Sequence, residues 1–428
     1  PLSPLWQDIY GFFDENSQWQ KRLSLLKQGI GKTAKPERLS PKTAKALYGK
    51  NIFSSVSRLE RFAGCPFSFF AEYGLKAEER RLYQLNTPDL GSLFHEVLEL
   101  FSNKLEQDSL PWTSLTKEET TARIHAAVED AAPRLGNRIL LDSAANQYLI
   151  RRLKRISTRA AWTLVQHLQQ GDFVPAGYEV GFGAHEALPP IVIRLQDGGS
   201  LILNGKIDRV DLLDANGTRY VKIIDYKSGN KTFHFQDIYY GLQLQLLVYL
   251  DAYLKYYKKT GASFKPGGVF YFRITDPTLA LDEELSAEAI EKILYEKMRM
   301  SGLLLLEDVL IHGIDHSLAE SQASAIVPVG YTKKGDPTAA SNLATEEQYA
   351  AILDFVATRT QELGDAMKAG IITPAPYRDG QRTPCSYCSY RSLCRHSYGE
   401  TPKWRKLKKI DKADFWESIT PKQPPETE

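Results

Sequence analysis

Two runs rich in β-type residues, 201–213 and 219–226, meet at Asn216-Gly217. Asn-Gly between such runs is the strongest short-range signal for a tight hairpin, because both turn residues must adopt positive φ. A two-residue loop fixes the register. Asp211 then faces Lys222, Val210 faces Ile223, Asp208 faces Asp225, and Lys206 faces Lys227. Directly opposed side chains share a face, with Cβ atoms about 4.5–5.5 Å apart. Lys227 lies two residues from Asp225, so the strand period brings it to the same face. A slip of one residue would send the two aspartates to opposite faces. Asp211 with Lys222 is a favourable pair; Lys206 with Lys227 is unfavourable unless an anion sits nearby. Two adjacent carboxylates repel, and a hard divalent cation removes that cost. Mg²⁺ commonly takes one or two carboxylates plus waters and phosphate oxygens. A lysine beside such an ion can orient or deprotonate a water and offset charge on a phosphate. Any one of these residues alone reads as punctuation of a solvated strand; Asp208, Asp225 and Lys227 in one register point to a metal site.

The surrounding sequence has an α/β texture. Residues 1–28 read as helical and 29–50, rich in Gly, Lys and Pro, as a linker. A helix capped by Ser57 runs to Gly64-Cys65-Pro66, followed by the aromatic cluster Phe67, Phe69, Phe70 and Tyr73. Gly91 opens another helix, to about Lys104, with Leu93, Phe94, Val97, Leu98 and Phe101 on one side. Helical patterns resume over 117–169. Strands are expected at 178–182 and 191–195, a long helix at 236–258, a strand at 268–274 and a helix at 345–369. Residues 330–341 read as a surface loop. Helix, several strands, helix and strand make an α/β core. We divide the chain into a helical lead-in and linker (1–50), a core domain (51–400) and a basic tail (401–428).

Composition narrows the function classes. At 43% hydrophobic and 25% charged, wholesale disorder is excluded. With 54 Lys+Arg against 52 Asp+Glu, any nucleic-acid surface must be local. Four cysteines in 428 residues cannot make a disulfide scaffold. No apolar run approaches the roughly 20 residues of a membrane span and no signal peptide opens the sequence, so a cytoplasmic location is expected. The first residue is Pro1, which suggests a piece of a longer chain.

The run Gly-Lys-Ile-Asp208, then Ile-Asp225-Tyr226-Lys227-Ser-Gly, resembles the active site of the PD-(D/E)XK nuclease superfamily in its RecB-like branch. Lys206-Ile207-Asp208 stands where the literal Pro-Asp would be. Gly91-Ser92-Leu93-Phe94-His95-Glu96 resembles that branch's helical motif with a metal-binding histidine, which falls on His95. Gln245 to Tyr249 resembles its Gln-x-x-x-Tyr helix motif, whose two residues share a helix face. The resemblance implies a central mixed sheet flanked by helices, with helical insertions. It further implies Mg²⁺ on His95, Asp208, Asp225 and the Tyr226 carbonyl. Lys227 is then expected to position or activate water, and Gln245 and Tyr249 to contact DNA or brace the site.

Cys385-x₂-Cys388-x₅-Cys394, with Cys65 far upstream, suits either Zn²⁺ or an iron–sulfur cluster. The spacing is similar to the staple of the AddB family of bacterial AddAB helicase–nucleases, and also to that of Cas4 nucleases. That resemblance implies a [4Fe-4S] cluster closing a loop of more than 300 residues. Within the AddB family it implies an exonuclease cutting the 5′-ended strand during double-strand break repair, DNA as substrate and an AddA helicase–nuclease partner. A stand-alone Cas4-like nuclease and a nuclease-dead DNA-binding scaffold are the rivals.

Several motifs are decoys or ambiguous. Gly29-Ile30-Gly31-Lys32-Thr33 lacks the upstream glycine and strand of a phosphate-binding loop. His95 begins His-Glu-x-x, but Glu99 stands where a zinc protease needs its second histidine. The basic stripes at Arg151, Arg152, Lys154, Arg155 and Arg159, and at 403–409, fit either a phosphate backbone or solvent.

Overall fold

The computed structural model describes residues 4–15, 17–31, 38–78, 87–133, 144–279, 284–319, 322–394, 396 and 404–420. Helices α1 (Pro4–Asp14), α2 (Ser17–Gly31) and α3 (Pro41–Tyr48) come first, then strand β1 (Asn51–Ser54), α4 (Val56–Gly64) and α5 (Pro66–Phe69). Three longer helices follow, α6 (Thr87–Gln107), α7 (Lys117–Ala131) and α8 (Ala144–Gln169). The strands β2 (Val174–Phe182), β3 (Ile191–Arg194), β4 (Ser200–Leu203), β5 (Gly205–Ala215) and β6 (Thr218–Lys227) are next. Helices α9 (Phe235–Tyr239) and α10 (Gln245–Lys259) lead into β7 (Phe264–Arg273). The last third carries α11 (Ala287–Lys297), β8 (Ser301–Leu305), α12 (Asp308–Ile314), β9 (Leu343–Ala344), α13 (Glu346–Lys368), β10 (Tyr377–Arg378), α14 (Arg391–Cys394), β11 (Arg405–Lys406) and α15 (Lys412–Ile419).

Six strands form one mixed sheet in the order β2-β5-β6-β7-β8-β9. β2, β5 and β6 run antiparallel in succession, β6 and β7 are parallel, and β7 and β8 antiparallel. A parallel pair needs a crossover, which α9 and α10 supply. β6 is the buried spine: every residue from Tyr220 to Tyr226 is shielded, as a strand covered on both faces requires. Helix α10 packs on β6 and β7, and α6 on β2. The mixed sheet flanked by helices is the fold class that the motifs implied.

Several boundaries differ from expectation. The helix before Cys65 is capped by Ser55, whose Oγ accepts the Arg58 amide at 3.4 Å, and not by Ser57. The helix around His95 begins at Thr87, upstream of Gly91. The run 201–213 is two strands in two sheets: β4 pairs with β1 and β3, and β5 enters the main sheet. The expected helix at 236–258 is broken after Tyr239, where Gly241 adopts φ +73°, so Gln245 becomes the first residue of α10. Part of the 29–50 linker is helix α3, tied to the core by the Leu39 amide on the Gly370 carbonyl at 2.8 Å. Part of the 401–428 tail is also built in. β11 pairs with β10, and α15 buries Phe415 and Trp416 against Phe235. Residues 32–37, 401–403 and 421–428 of these segments, among them Lys32, Thr33 and Lys403, lie outside the described residues.

Candidate active site

The hairpin turns at Asn216 (φ +51°) and Gly217 (φ +73°), the two positive values a type I′ turn needs. Its ladder pairs Ala215 with Thr218, Asp211 with Lys222, Val210 with Ile223 and Arg209 with Ile224. Asp208 and Asp225 occupy the next position outward, on one face. There the ladder gives way to a side chain: the Tyr226 amide donates to Asp208 Oδ2 at 2.5 Å. The expected pairing of Lys206 with Lys227 does not form. β5 stays in register with β2, where Lys206 faces Gly181, while β6 follows β7, where Lys227 faces Arg273. The Lys206 ammonium instead reaches to 3.9 Å from Glu179.

Helix α6 delivers His95, whose Nδ1 lies 3.3 Å from Asp208 Oδ2. Gly91, one turn before it, sits where a Cβ would be 3.0 Å from the Ser228 hydroxyl, so a glycine lets this helix approach the strand end. Burial pulls the His95 imidazole down, but the hydrogen bond and charge of Asp208, with Asp225 behind it, outweigh that and raise it. Asp225 is pushed up to about 6 by burial and by the neighbouring Asp208 charge. The Lys227 ammonium lies against Asp225 Oδ2 as a close ion pair, and 3.4 Å from the Gln245 amide oxygen. Burial lowers Lys227, but Asp225 and Asp208 hold it above the ordinary lysine range.

Gln245 and Tyr249 lie in the first turns of α10. Tyr249 is buried, stacks on Phe182 at 5.5 Å and fills the space where Gly205 would carry a Cβ. In this arrangement it braces the base of β5. Two residues escaped sequence reasoning. Glu60 on α4 accepts the Leu244 and Gln245 amides at 2.8 and 3.1 Å, capping α10 from another helix. Glu179 on β2 stands beside His95 and Asp208, all three offering ligand atoms within 4.8 Å of one another. Burial, Asp208 and Glu99 push the Glu179 carboxyl up to about 7. Neither residue carries a local motif; each depends on which strand or helix becomes its neighbour. The His95 imidazole with the Glu179 and Asp208 carboxylates is a donor set that suits a hard divalent ion, while Asp225 stands outside that close group, beside Asp208 and against Lys227.

Cys65, Cys385, Cys388 and Cys394 line one small cavity, bringing α4–α5 against the segment around α14. All four are free thiols. Burial pushes the Cys65 thiol up to about 11, with Cys385 and Cys388 close enough to add to the effect. Among the basic stripes, Arg155 and Arg159 pair with Asp276, and Lys154 with Glu129. Trp404 has Arg378 over its ring at 5.2 Å.

A family profile for the PD-(D/E)XK nuclease superfamily matches residues 54–395. The chain is 40% identical over 98% of its length to the B-type component of the ATP-dependent helicase/deoxyribonuclease of Alkaliphilus oremlandii, covering 36% of that protein. It is 42% identical over 92% of its length to the corresponding protein of Alkaliphilus metalliredigens, covering 34% of it, and 36% identical over 98% to that of Thermoanaerobacter sp. strain X514, covering 36%. The chain thus spans about a third of the length of these curated relatives. Matched across most of its residues by the profile, and carrying the paired aspartates and lysine on adjacent strands, the chain belongs to the PD-(D/E)XK nuclease superfamily.

Proposed function

We propose that this chain is the nuclease domain of a helicase–nuclease that processes DNA ends for recombinational repair. The observation that carries the reading is the meeting of His95, Asp208, Asp225 and Lys227 at the open end of the β5–β6 hairpin. His95, Asp208, Asp225 and the Tyr226 carbonyl hold Mg²⁺. The ion supplies Lewis-acid polarisation of a scissile phosphate and a lowered pKa for a bound water. Lys227, in contact with Asp225, orients or activates the attacking water and offsets phosphate charge. Gln245 restrains the Lys227 ammonium, and Tyr249 fixes the strand that carries Asp208. The length of the relatives favours one component of a helicase–nuclease over a stand-alone Cas4-like enzyme, and their name as a helicase/deoxyribonuclease supports an AddA-type helicase partner. The AddB-like motifs add a cut on the 5′-ended strand. The intact carboxylate pair and lysine oppose a nuclease-dead scaffold.

Cys65, Cys385, Cys388 and Cys394 hold a [4Fe-4S] cluster, which ties α4 to a segment more than 300 residues later. Next to it, a groove lined by Arg61, Lys231, Arg382 and Tyr387 presents cations already paired with Glu72, Glu60 and Asp237, and the exposed Tyr387 offers a stacking surface to a single strand leaving the site. Two measurements test the reading. Linear DNA is expected to be cut only with Mg²⁺ or Mn²⁺ present, and cutting without a divalent ion would overturn it. Anaerobically purified protein is expected to show a broad absorbance near ~400 nm; a colourless, zinc-containing protein would replace the cluster assignment.

A further inference from the structure

We infer that Glu179 is a ligand of the divalent ion, on the opposite side of Asp208 from Asp225. The inference rests on the metal-dependent reading above and adds a residue to it. β2 and β5 pair Tyr178 with Arg209 and Val180 with Ile207. That register sets Glu179 beside Asp208, just as the β5–β6 register sets Asp225 on its other side. Three neighbouring strands therefore carry Glu179, Asp208 and Asp225 at adjoining register positions, and the ligand atoms of Glu179, Asp208 and His95 of α6 lie within 4.8 Å of one another.

The backbone points the same way. Glu179 adopts φ +46°, a left-handed conformation uncommon for a side chain of this size. Neighbours at 178 and 180 remain paired in the ladder, so the kink is confined to the residue that faces Asp208. Strain of this kind persists where the surrounding structure holds it, and it concentrates at ligand clamps. The competing explanation is a salt bridge to Lys206. That ammonium is 3.9 Å away and half-exposed, and a contact of this kind contributes little. It does not account for drawing Glu179 toward two other acids, Asp208 and Glu99, on neighbouring elements.

The test is Mn²⁺ binding followed by electron paramagnetic resonance, with no DNA present, on the wild type, Glu179→Gln and Asp208→Asn. Melting in EDTA checks the fold of each. Glu179→Gln is expected to weaken Mn²⁺ binding about tenfold or more, while the nitrogen coupling from His95 persists. Asp208→Asn is expected to abolish binding at the site. If Glu179→Gln binds Mn²⁺ within twofold of wild type while Asp208→Asn does not bind it, the metal site stands and Glu179 is not part of it. If the wild type binds no Mn²⁺, both this inference and the metal-dependent reading fail. Should Glu179→Gln melt early in EDTA, Glu179→Asp keeps the charge, withdraws the carboxylate by one methylene, and is read by the same criterion.

Discussion

Asp208 and Asp211 lie three residues apart on one strand, so they point to opposite faces of the sheet and meet opposite fates. Asp211 is fully buried and fully matched. Arg209 grips it through Nε at 2.6 Å and through a second nitrogen at 3.0 Å, and Lys222 across the ladder reaches it at 3.0 Å. Arg209 lies over Trp112 and Lys222 over Phe173. Burial alone would raise the Asp211 carboxyl, but these two cations hold it below the usual range. On the other face, Asp208 is crowded by Asp225 on one side and by Glu179 on the other, and Asp225 and Glu179 are driven up. One hairpin thus carries a charge cluster that stabilises the fold and another that the fold tolerates. Charge left unmatched at the end of a well-matched strand is a mark of a binding site rather than of poor packing.

The sharpest way to break this comparison is to neutralise one acid on each face. Asp225→Asn is expected to cut DNA cleavage on the order of 10³-fold, with stability held within about 1 kcal/mol. An active Asp225→Asn protein would remove Asp225 from the catalytic set. Asp211→Asn is expected to leave Arg209 and Lys222 buried without a counter-charge and to lower stability by about 3–5 kcal/mol. Denaturant unfolding of the chain reads both. Equal stability losses for the two variants would contradict the division between the faces.

The parts of this arrangement that were legible in the sequence are those fixed by local rules. Asn216-Gly217 set the register of one hairpin, and with it the facing of Asp208 and Asp225 and the pairing of Asp211 with Lys222. The four cysteines were visible as a group, though only the fold shows that they line one cavity. What stayed hidden depends on contacts between distant segments. Glu179 lies on a recognisable strand, but its partner strand cannot be read from residues 174–182. Glu60 looks like one more charge on an amphipathic helix until α10 arrives above it. The break at Gly241 was hidden because Leu242, Leu244 and Leu246 continue an apolar pattern across it. Positive φ at a glycine decides backbone direction without changing hydrophobic periodicity.

Proton concentration separates the faces with a smaller effect. In the unfolded chain Asp and Glu titrate near about 3.9 and 4.3. Asp225 and Glu179, near 6 and 7 in the folded chain, bind protons more tightly there, so ionising them as pH rises removes stability. His95, raised by Asp208, acts in the same direction, because its protonated form contributes stability that is lost as pH rises through its folded value. Asp211 has the opposite sign: its contribution is present above the unfolded value and is lost only in acid. These acids are therefore expected to withdraw stability from the metal-free chain in EDTA as pH rises from about 4 to about 7, and added Mg²⁺ is expected to flatten that slope. A flat profile in EDTA would show that the site acids are not frustrated.

The mildest perturbation acts on neither face directly. Glu60 caps α10 through the Leu244 and Gln245 amides and holds Lys231 at 3.1 Å. Because Gln245 is the first residue of that helix and contacts Lys227, loss of the cap loosens the amine without touching a carboxylate. Glu60→Ala is expected to cost about 1–2 kcal/mol of stability, to slow cleavage several-fold and to leave Mn²⁺ affinity unchanged. Weakened Mn²⁺ binding in this variant would mean that α10 shapes the metal site itself, and the separation drawn here between ion-holding strands and water-orienting helix would have to be abandoned.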